Sequence, residues 1–296
     1  MTILLDGGLA TELHHRGIAM EAPLFSAQAL LTERGREAVL NCHLEFLAAG
    51  AEVIPADTFR TNLRAVRESG GDELLAADLT RTAVDIARRA IAMSGADSAA
   101  LAAMVAPVAE CYDPTATPDD DALESEHGFF MGLLSEYGVQ IALIETMNSV
   151  REAVIATRAA CRYGLTPWVS FVCADGGRLL SGEPIAVAAA AVGHVGARAV
   201  LVNCTDLTRT REALGALAPC ELPIGCYPNV EDRSDAHCAH GAPLPVTLEP
   251  EEFAQQLSGL VREYSLAIVG GCCGARPAHI RELAISIGHI TKGVLA

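Results

Sequence analysis

Two adjacent cysteines late in the chain, Cys272 and Cys273, have the residue types and spacing most suggestive of chemistry. Adjacent cysteines rarely form a disulfide with each other, because that bond strains the backbone between them. Glycines on both sides of the pair let the chain turn sharply, so both thiols could point the same way. With Cys204 they would form a soft, three-thiolate zinc site. Position alone leaves open the alternative that all three are packing residues beside turns.

The elements that would position these cysteines follow a regular alternation. Short apolar, β-branched runs alternate with longer helical patterns, which indicates parallel strands joined by helices. The predicted strands are 3–6, 52–56, 100–106, 140–145, 168–173, 199–203, 223–227 and 266–270. The predicted helices include 37–49, 73–93, 149–163, 184–195, 208–218, 250–263 and 277–290.

Eight strand–helix units in 296 residues predict a single (β/α)8 TIM-type barrel that occupies residues 1–296 as one domain. A doubly wound open sheet is the alternative. No glycine-rich dinucleotide loop follows a strand and no P-loop motif occurs, which disfavours that alternative.

In a barrel, catalytic groups lie at the C-terminal ends of the strands. Polar or thiol residues stand at six of the predicted strand ends. They are Asp6-Gly7-Gly8, Asp57-Thr58, Glu145-Thr146, Asn203-Cys204, Tyr227-Pro228-Asn229 and Gly270-Gly271-Cys272-Cys273-Gly274. The barrel interpretation therefore gathers these groups at one end of the molecule.

Two stretches, 111–126 and 228–245, are predicted to be long loops over that end. The second contains His237-Cys238-Ala239-His240, which is another metal candidate. Because no strand fixes its geometry, we favour a solvated loop. A hydrolase barrel with histidine metal ligands would need His-x-His after the first strand. The chain has Asp6 and two glycines there, and His14-His15 falls in the next segment.

Composition excludes several classes of protein. Hydrophobic residues make up 51% of the chain, charged residues 20%, and the net charge is −16, so a large core can form. The acidic balance argues against nucleic acid and anionic membranes as partners. The single lysine, Lys292, stands near the end of the chain, which argues against Schiff-base chemistry. Without a signal peptide or a long apolar run, we expect a cytoplasmic protein with mostly reduced cysteines.

The chain resembles the homocysteine S-methyltransferase family, the zinc-dependent homocysteine-binding barrels. The resemblance covers nearly the whole chain, in family order. It is carried by Asp6-Gly7-Gly8-Leu9-Ala10-Thr11-Glu12-Leu13, Ala49-Gly50-Ala51-Glu52-Val53-Ile54, Asp57-Thr58-Phe59-Arg60-Thr61-Asn62, Ile144-Glu145-Thr146, Val202-Asn203-Cys204, Tyr227-Pro228-Asn229 and Gly270-Gly271-Cys272-Cys273-Gly274. The glycine-flanked cysteine pair is the most specific of these segments.

The resemblance implies that Cys204, Cys272 and Cys273 bind Zn²⁺ and that no catalytic residue is needed beyond this zinc site. The substrate-binding residues that it implies are Asp6, Gly7, Gly8, Thr58 and Glu145, with Glu145 holding the amino group of homocysteine. Relatives often carry threonine where this chain has Ala56, so the hydroxyl contact is lost or moved to Thr58.

The implied reaction transfers a methyl group to the homocysteine thiol and yields methionine. The donor could be S-methylmethionine, S-adenosylmethionine, betaine or a methylated folate. Two alternatives stay open. The acceptor could be selenocysteine or another small thiol, or the barrel could bind zinc and an amino acid without turnover.

Overall fold

The molecule is built around eight parallel strands. The computed structural model describes residues 2–96, 98–232 and 244–290. The strands are β1 (Ile3–Leu4), β2 (Val53–Ala56), β3 (Ala100–Val105), β4 (Ile141–Met147), β5 (Thr166–Phe171), β8 (Ala199–Asn203), β9 (Ile224–Tyr227) and β10 (Ile268–Val269), with β6 (Cys173–Ala174) and β7 (Arg178–Leu179) forming a separate antiparallel hairpin. The ring runs β1-β10-β9-β8-β5-β4-β3-β2, and a parallel bridge between Leu5 and Val53 joins its two ends. The predicted (β/α)8 barrel is confirmed.

Helices follow the barrel strands and cover their outer faces. They are α1 (Leu9–His15), α2 (Glu33–Ala48), α3 (Leu63–Glu68), α4 (Glu73–Ser94), α5 (Asp120–Glu136), α6 (Val150–Arg162), α7 (Ile185–His194), α8 (Leu207–Leu217), α9 (Pro250–Tyr264) and α10 (Pro277–Ser286). Short 3₁₀ helices occupy Phe25–Leu31 and Pro114–Ala116. Local sequence explains several helix starts. Side chains of Thr32, Asn62 and Asp72 accept a backbone N–H in the first turn, and Pro250 and Pro277 stand where no N–H is needed.

Period-two alternation along the strands divides the core into two layers. Inward-facing residues such as Leu5, Val53, Leu143 and Leu201 fill the barrel, and the outward-facing residues pack against the helices. Both layers are apolar and almost fully buried. The barrel interior is therefore a packed core, and a site is expected at the C-terminal ends of the strands.

The structure corrects one loop prediction and adds one hairpin. The stretch 111–126 is not loop throughout, because α5 begins at Asp120 after an Asp119 cap accepts the Ala122 N–H. The β6–β7 hairpin was not predicted, since its strands are only two residues long. His237-Cys238-Ala239-His240 and Lys292 lie outside the described residues. Among the helices that are described, none is long and apolar enough to cross a membrane.

Candidate metal and substrate site

Three thiols meet at the C-terminal end of the barrel. Cys204 follows β8, and Cys272 and Cys273 follow β10, two strands away in the ring. The Sγ atoms of Cys204 and Cys272 are 3.0 Å apart, and those of Cys272 and Cys273 are 3.8 Å apart. All three Sγ atoms lie within 4.8 Å of one another, and each residue is only partly buried. The structure thus brings together the three cysteines that the sequence singled out, in an arrangement that could hold a metal ion.

An asparagine on β8 and a threonine on β4, two strands away in the ring, fix the position of Cys204. The Asn203 side chain accepts the backbone N–H of Thr146 at 3.0 Å and donates to the Thr146 hydroxyl at 2.9 Å. That hydroxyl donates in turn to Cys204 Sγ at 3.6 Å. Both Thr146 and Cys204 have positive φ angles, 58° and 49°, which residues with a Cβ rarely adopt. The strained backbone is therefore held by side-chain hydrogen bonds at the site itself.

The turn that carries Cys272 and Cys273 is held from two sides. The Asn229 side chain, after β9, accepts the Cys273 backbone N–H at 3.2 Å. On the other side, a Cβ at Gly8 would lie 2.6 Å from the Cys272 carbonyl oxygen, and one at Gly7 would lie 2.3 Å from the Ala275 carbonyl oxygen. The two glycines after β1 are needed because any larger residue would push the cysteine turn away.

A cavity of about 200 Å³ opens beside the thiols and is lined by carboxyl groups. Glu145 and Asp6 are among its lining residues and are 6% and 4% exposed. Burial raises the pKa of Glu145 to about 8, while a hydrogen bond from the Tyr227 hydroxyl at 3.0 Å works against that rise. The pKa of Asp6 is also raised, first by burial and then by the nearby Glu145. Two desolvated carboxyl groups that interact electrostatically favour the binding of a cationic group in the cavity.

The other residues expected at the site take different places. Gly7 and Gly8 line the cavity, but the Gly8 N–H donates to the Ala275 carbonyl at 2.8 Å. The Thr58 hydroxyl donates to the Met104 carbonyl at 2.7 Å, and Thr58 is not among the cavity-lining residues. Its neighbour Asp57, which directly follows β2, lines the cavity instead.

Sequence reasoning missed the supporting groups. Tyr227, Thr146, Asn203 and Asn229 stand at strand ends and were visible as polar residues there, but their partners come from other strands. Nothing in the order of residues indicates which strand-end groups meet. Two of these contacts join strands that are not adjacent in the ring, Tyr227 of β9 with Glu145 of β4 and Asn203 of β8 with Thr146 of β4, so strand order alone does not predict them.

Comparison with known proteins shows which family the chain matches. The family model for homocysteine S-methyltransferase matches residues 3–287. The methionine synthase of Mycobacterium leprae is 28% identical over 98% of this chain, and the chain spans 24% of that protein's length. Homocysteine S-methyltransferase YbgG of Bacillus subtilis is 27% identical over 95% of this chain and 93% of its own. The chain thus matches only about a quarter of some relatives and nearly all of others.

The fold has a counterpart among solved structures. The metallated form of the homocysteine methyltransferase MmuM from Escherichia coli superposes with a TM-score of 0.81. The match covers 98% of this chain and 96% of that one, at 24% sequence identity. This likeness supports the barrel architecture independently of the strand order.

Proposed function

Because the chain belongs to the homocysteine S-methyltransferase family, we propose that it transfers a methyl group from a small donor to the thiol of homocysteine, giving methionine. The observation that carries this proposal is the meeting of three thiols and two buried carboxyl groups at one cavity. The thiols suit a metal that binds the sulfur of the substrate. The carboxyl groups suit the ammonium of an amino acid.

We propose zinc as the metal, held by Cys204, Cys272 and Cys273. Sulfur atoms that share a tetrahedral zinc ion at about 2.3 Å lie roughly 3.8 Å apart. The spacing of 3.8 Å between Cys272 and Cys273 fits that value, and the 3.0 Å spacing of Cys204 and Cys272 requires only a small separation of the two. A zinc ion bound to three thiolates would lower the pKa of a substrate thiol, so that the substrate reacts as a thiolate at neutral pH.

The residues of the chain would position the substrate around that chemistry. Glu145, together with Asp6, would take the ammonium of homocysteine, whose positive charge would favour the ionised form of both buried carboxyl groups. Tyr227 would orient the Glu145 carboxylate through its 3.0 Å hydrogen bond. Leu5 and Leu143 line the same cavity and would exclude water from the reacting sulfur.

Methionine formation by the reduced, zinc-loaded protein tests this function. Homocysteine is offered with S-methylmethionine, S-adenosylmethionine, betaine or methyltetrahydrofolate in separate reactions, and methionine is measured by mass spectrometry. We expect methionine in at least one reaction. We also expect no methionine after a chelator has removed the zinc. Its absence with every donor, while selenocysteine or another thiol is methylated, would move the acceptor to one of those compounds. Zinc and homocysteine binding without any methyl transfer would identify a binding protein.

A further inference from the structure

Segment 108–112, which follows β3, forms part of the wall of the cavity beside the thiols. Glu110, Cys111 and Tyr112 line that cavity. Tyr112 and Cys204 also line a second cavity of about 410 Å³, so the segment ends where the two cavities meet beside a candidate metal ligand. No helix or strand includes these five residues. Their position must therefore be fixed by contacts with other elements.

Two buried side chains hold the middle and the end of the segment from the barrel side. The Arg60 guanidinium, after β2, donates to the Ala109 carbonyl oxygen at 2.9 Å. The Asn148 amide, after β4, donates to the Cys111 carbonyl oxygen at 3.1 Å. Arg60 is 5% exposed and Asn148 is fully buried. These contacts tie the segment to the strand ends that carry the site.

The beginning of the segment is held by a carboxyl group on helix α6. Glu152 Oε1 accepts the Val108 backbone N–H at 2.8 Å and lies 3.1 Å from His127 Nε2 on α5. Glu152 and His127 are buried, and neither is among the residues that line the two cavities. The Val108 side chain packs with Leu123 of α5 and Ile155 of α6 in a small apolar cluster of its own. Two helices thus hold this end of the segment from outside the site.

The buried pair of Glu152 and His127 is a poor choice for stability alone. Glu152 Oε2 has no hydrogen-bond partner within the described residues, and an unpaired buried oxygen is unfavourable. Apolar side chains of similar volume often replace a buried charged pair without loss of stability. A hydrogen bond from a backbone N–H to a carboxyl group has a different effect, because it fixes one point of the chain in a defined direction. The arrangement fits a positioning role better than a stabilising one.

We propose that Glu152 is a positioning residue for the site: by accepting the Val108 N–H it fixes segment 108–112 and thereby the cavity wall. In its effect on turnover, this inference rests on the proposed function. Losing the contact would displace the wall without removing a zinc ligand or either carboxyl group of the Asp6–Glu145 pair. A misplacement of about 1 Å by a distant substitution can lower a rate by about 100-fold. The rate of methionine formation should therefore fall while the zinc content does not.

Glu152→Leu and Glu152→Gln test the role of the acceptor oxygen. The Leu variant removes it, whereas the Gln variant keeps an oxygen for the Val108 N–H. We expect kcat/KM to fall by about 10- to 100-fold in the Leu variant and to stay near the wild-type value in the Gln variant. Zinc content should be unchanged in both. Thr157→Val, at a buried position on the same helix, is the matched control and should keep kcat/KM, because its hydroxyl donates to the Ala153 carbonyl within α6.

Cys111 provides a probe of the wall that needs no turnover. Its thiol is buried, so it should react slowly with N-ethylmaleimide in the wild type. Losing a hydrogen bond to a charged group favours local opening by about 10- to 100-fold, and labelling of Cys111 in Glu152→Leu should accelerate by that factor. Peptide mass spectrometry measures it, with buried Cys226 of β9 as the internal control. If the Leu variant does not fold, His127→Leu should show the same effects at about 3- to 10-fold.

The outcomes separate this inference from the function on which it rests. Labelling of Cys111 that does not accelerate, or faster labelling with an unchanged kcat/KM, would overturn the role of Glu152. Effects as large in the Gln variant or in Thr157→Val would overturn it as well. A wild type that forms no methionine with any donor would refute the proposed function. Faster labelling of Cys111 in Glu152→Leu, at wild-type zinc content, would still assign the position of the wall to Glu152.

Discussion

At the scale of single residues, the proposed function depends on which side chains hold the metal and which hold the amino acid. The three cysteines are partly buried, whereas Cys42, Cys111, Cys173 and Cys226 are buried. Thiols that remain accessible at a strand end can meet a metal and a substrate, while buried thiols behave as small apolar side chains. We therefore expect these three partly buried cysteines to bind the metal and the buried cysteines to serve only in packing.

Cys273→Ser should remove most of the bound zinc and of the methionine formation. Replacing even a residue that only orients a metal ligand costs about 10- to 100-fold, so the loss of a ligand should cost more than about 100-fold. Zinc content measured by plasma mass spectrometry and activity measured on the same sample check both effects. Cys161→Ser, at an exposed position on α6, serves as the control and should keep zinc and activity. Full zinc content in the Cys273 variant would show that the ligand assignment is wrong.

Glu145→Gln should raise the KM for homocysteine by about 10- to 100-fold, because a neutral amide cannot balance the substrate ammonium. Tyr227→Phe keeps the ring in the barrel and removes the hydroxyl that bonds Glu145 and also contacts Ser170, so a rise of about 3- to 10-fold is expected. Zinc content should stay at the wild-type value in both variants. A homocysteine KM that neither substitution changes would assign the ammonium contact to another group.

At the scale of elements, the site is a product of strand ends held at fixed distances. Strand β8 delivers Cys204, the turn after β10 delivers the cysteine pair, and the turn after β1 packs against that pair without side chains. Gly8 has an ordinary φ of −75°, so a lack of space and not a special backbone conformation excludes other residues there. Small changes in this turn should therefore affect the metal.

Gly8→Ala should weaken zinc binding by about 10- to 100-fold, since its Cβ would lie 2.6 Å from the Cys272 carbonyl oxygen and the cysteine turn would have to move. Competition with a chromogenic chelator measures the change. Gly128→Ala on α5 is the matched control, because its Cβ would meet nothing within 4 Å. That variant should keep its zinc affinity and gain about 0.5–1 kcal/mol of unfolding free energy. Equal zinc affinities in the two variants would contradict the packing argument.

The elements were largely predictable from the sequence, and the contacts between them were not. Each of the eight predicted strands overlaps an observed barrel strand, because apolar, β-branched runs bounded by helices have few other structures available. Cys272 and Cys273 were singled out by residue type and by their glycine neighbours, and Cys204 by its position at the end of a predicted strand. The positions of Thr58 and Asp57 show what the sequence alone could not predict. Which of two adjacent residues faces the cavity depends on the register of one strand, and the structure places Asp57 there.

At the scale of the whole molecule, the burial of carboxyl groups in the barrel lowers the stability of the fold. Burial raises the pKa of Asp57 to about 6, from its ordinary value of 3.8. The folded state therefore binds a proton more tightly than the unfolded state does. Stability is lower above pH 6, where the buried group must ionise, and increases as the pH falls from about 6 towards 3.8.

Asp57→Asn should accordingly stabilise the protein at pH 7.5, by about 1–3 kcal/mol, because the amide is never charged. The advantage over the wild type should shrink as the pH is lowered from 7.5 to 5. Urea denaturation of both proteins at the two pH values measures the difference. A variant that is less stable than the wild type at pH 7.5 would mean that the Asp57 carboxylate stabilises the fold.

We propose that three cysteines of this chain hold a zinc ion and that the homocysteine thiol binds to this ion. X-ray absorption at the zinc edge measures it most directly, because it counts the sulfur neighbours of the metal at about 2.3 Å. We expect the zinc to have three sulfur ligands in the protein alone and four after homocysteine is added. A sulfur count that stays the same on adding homocysteine, or that is below three in the protein alone, would contradict it.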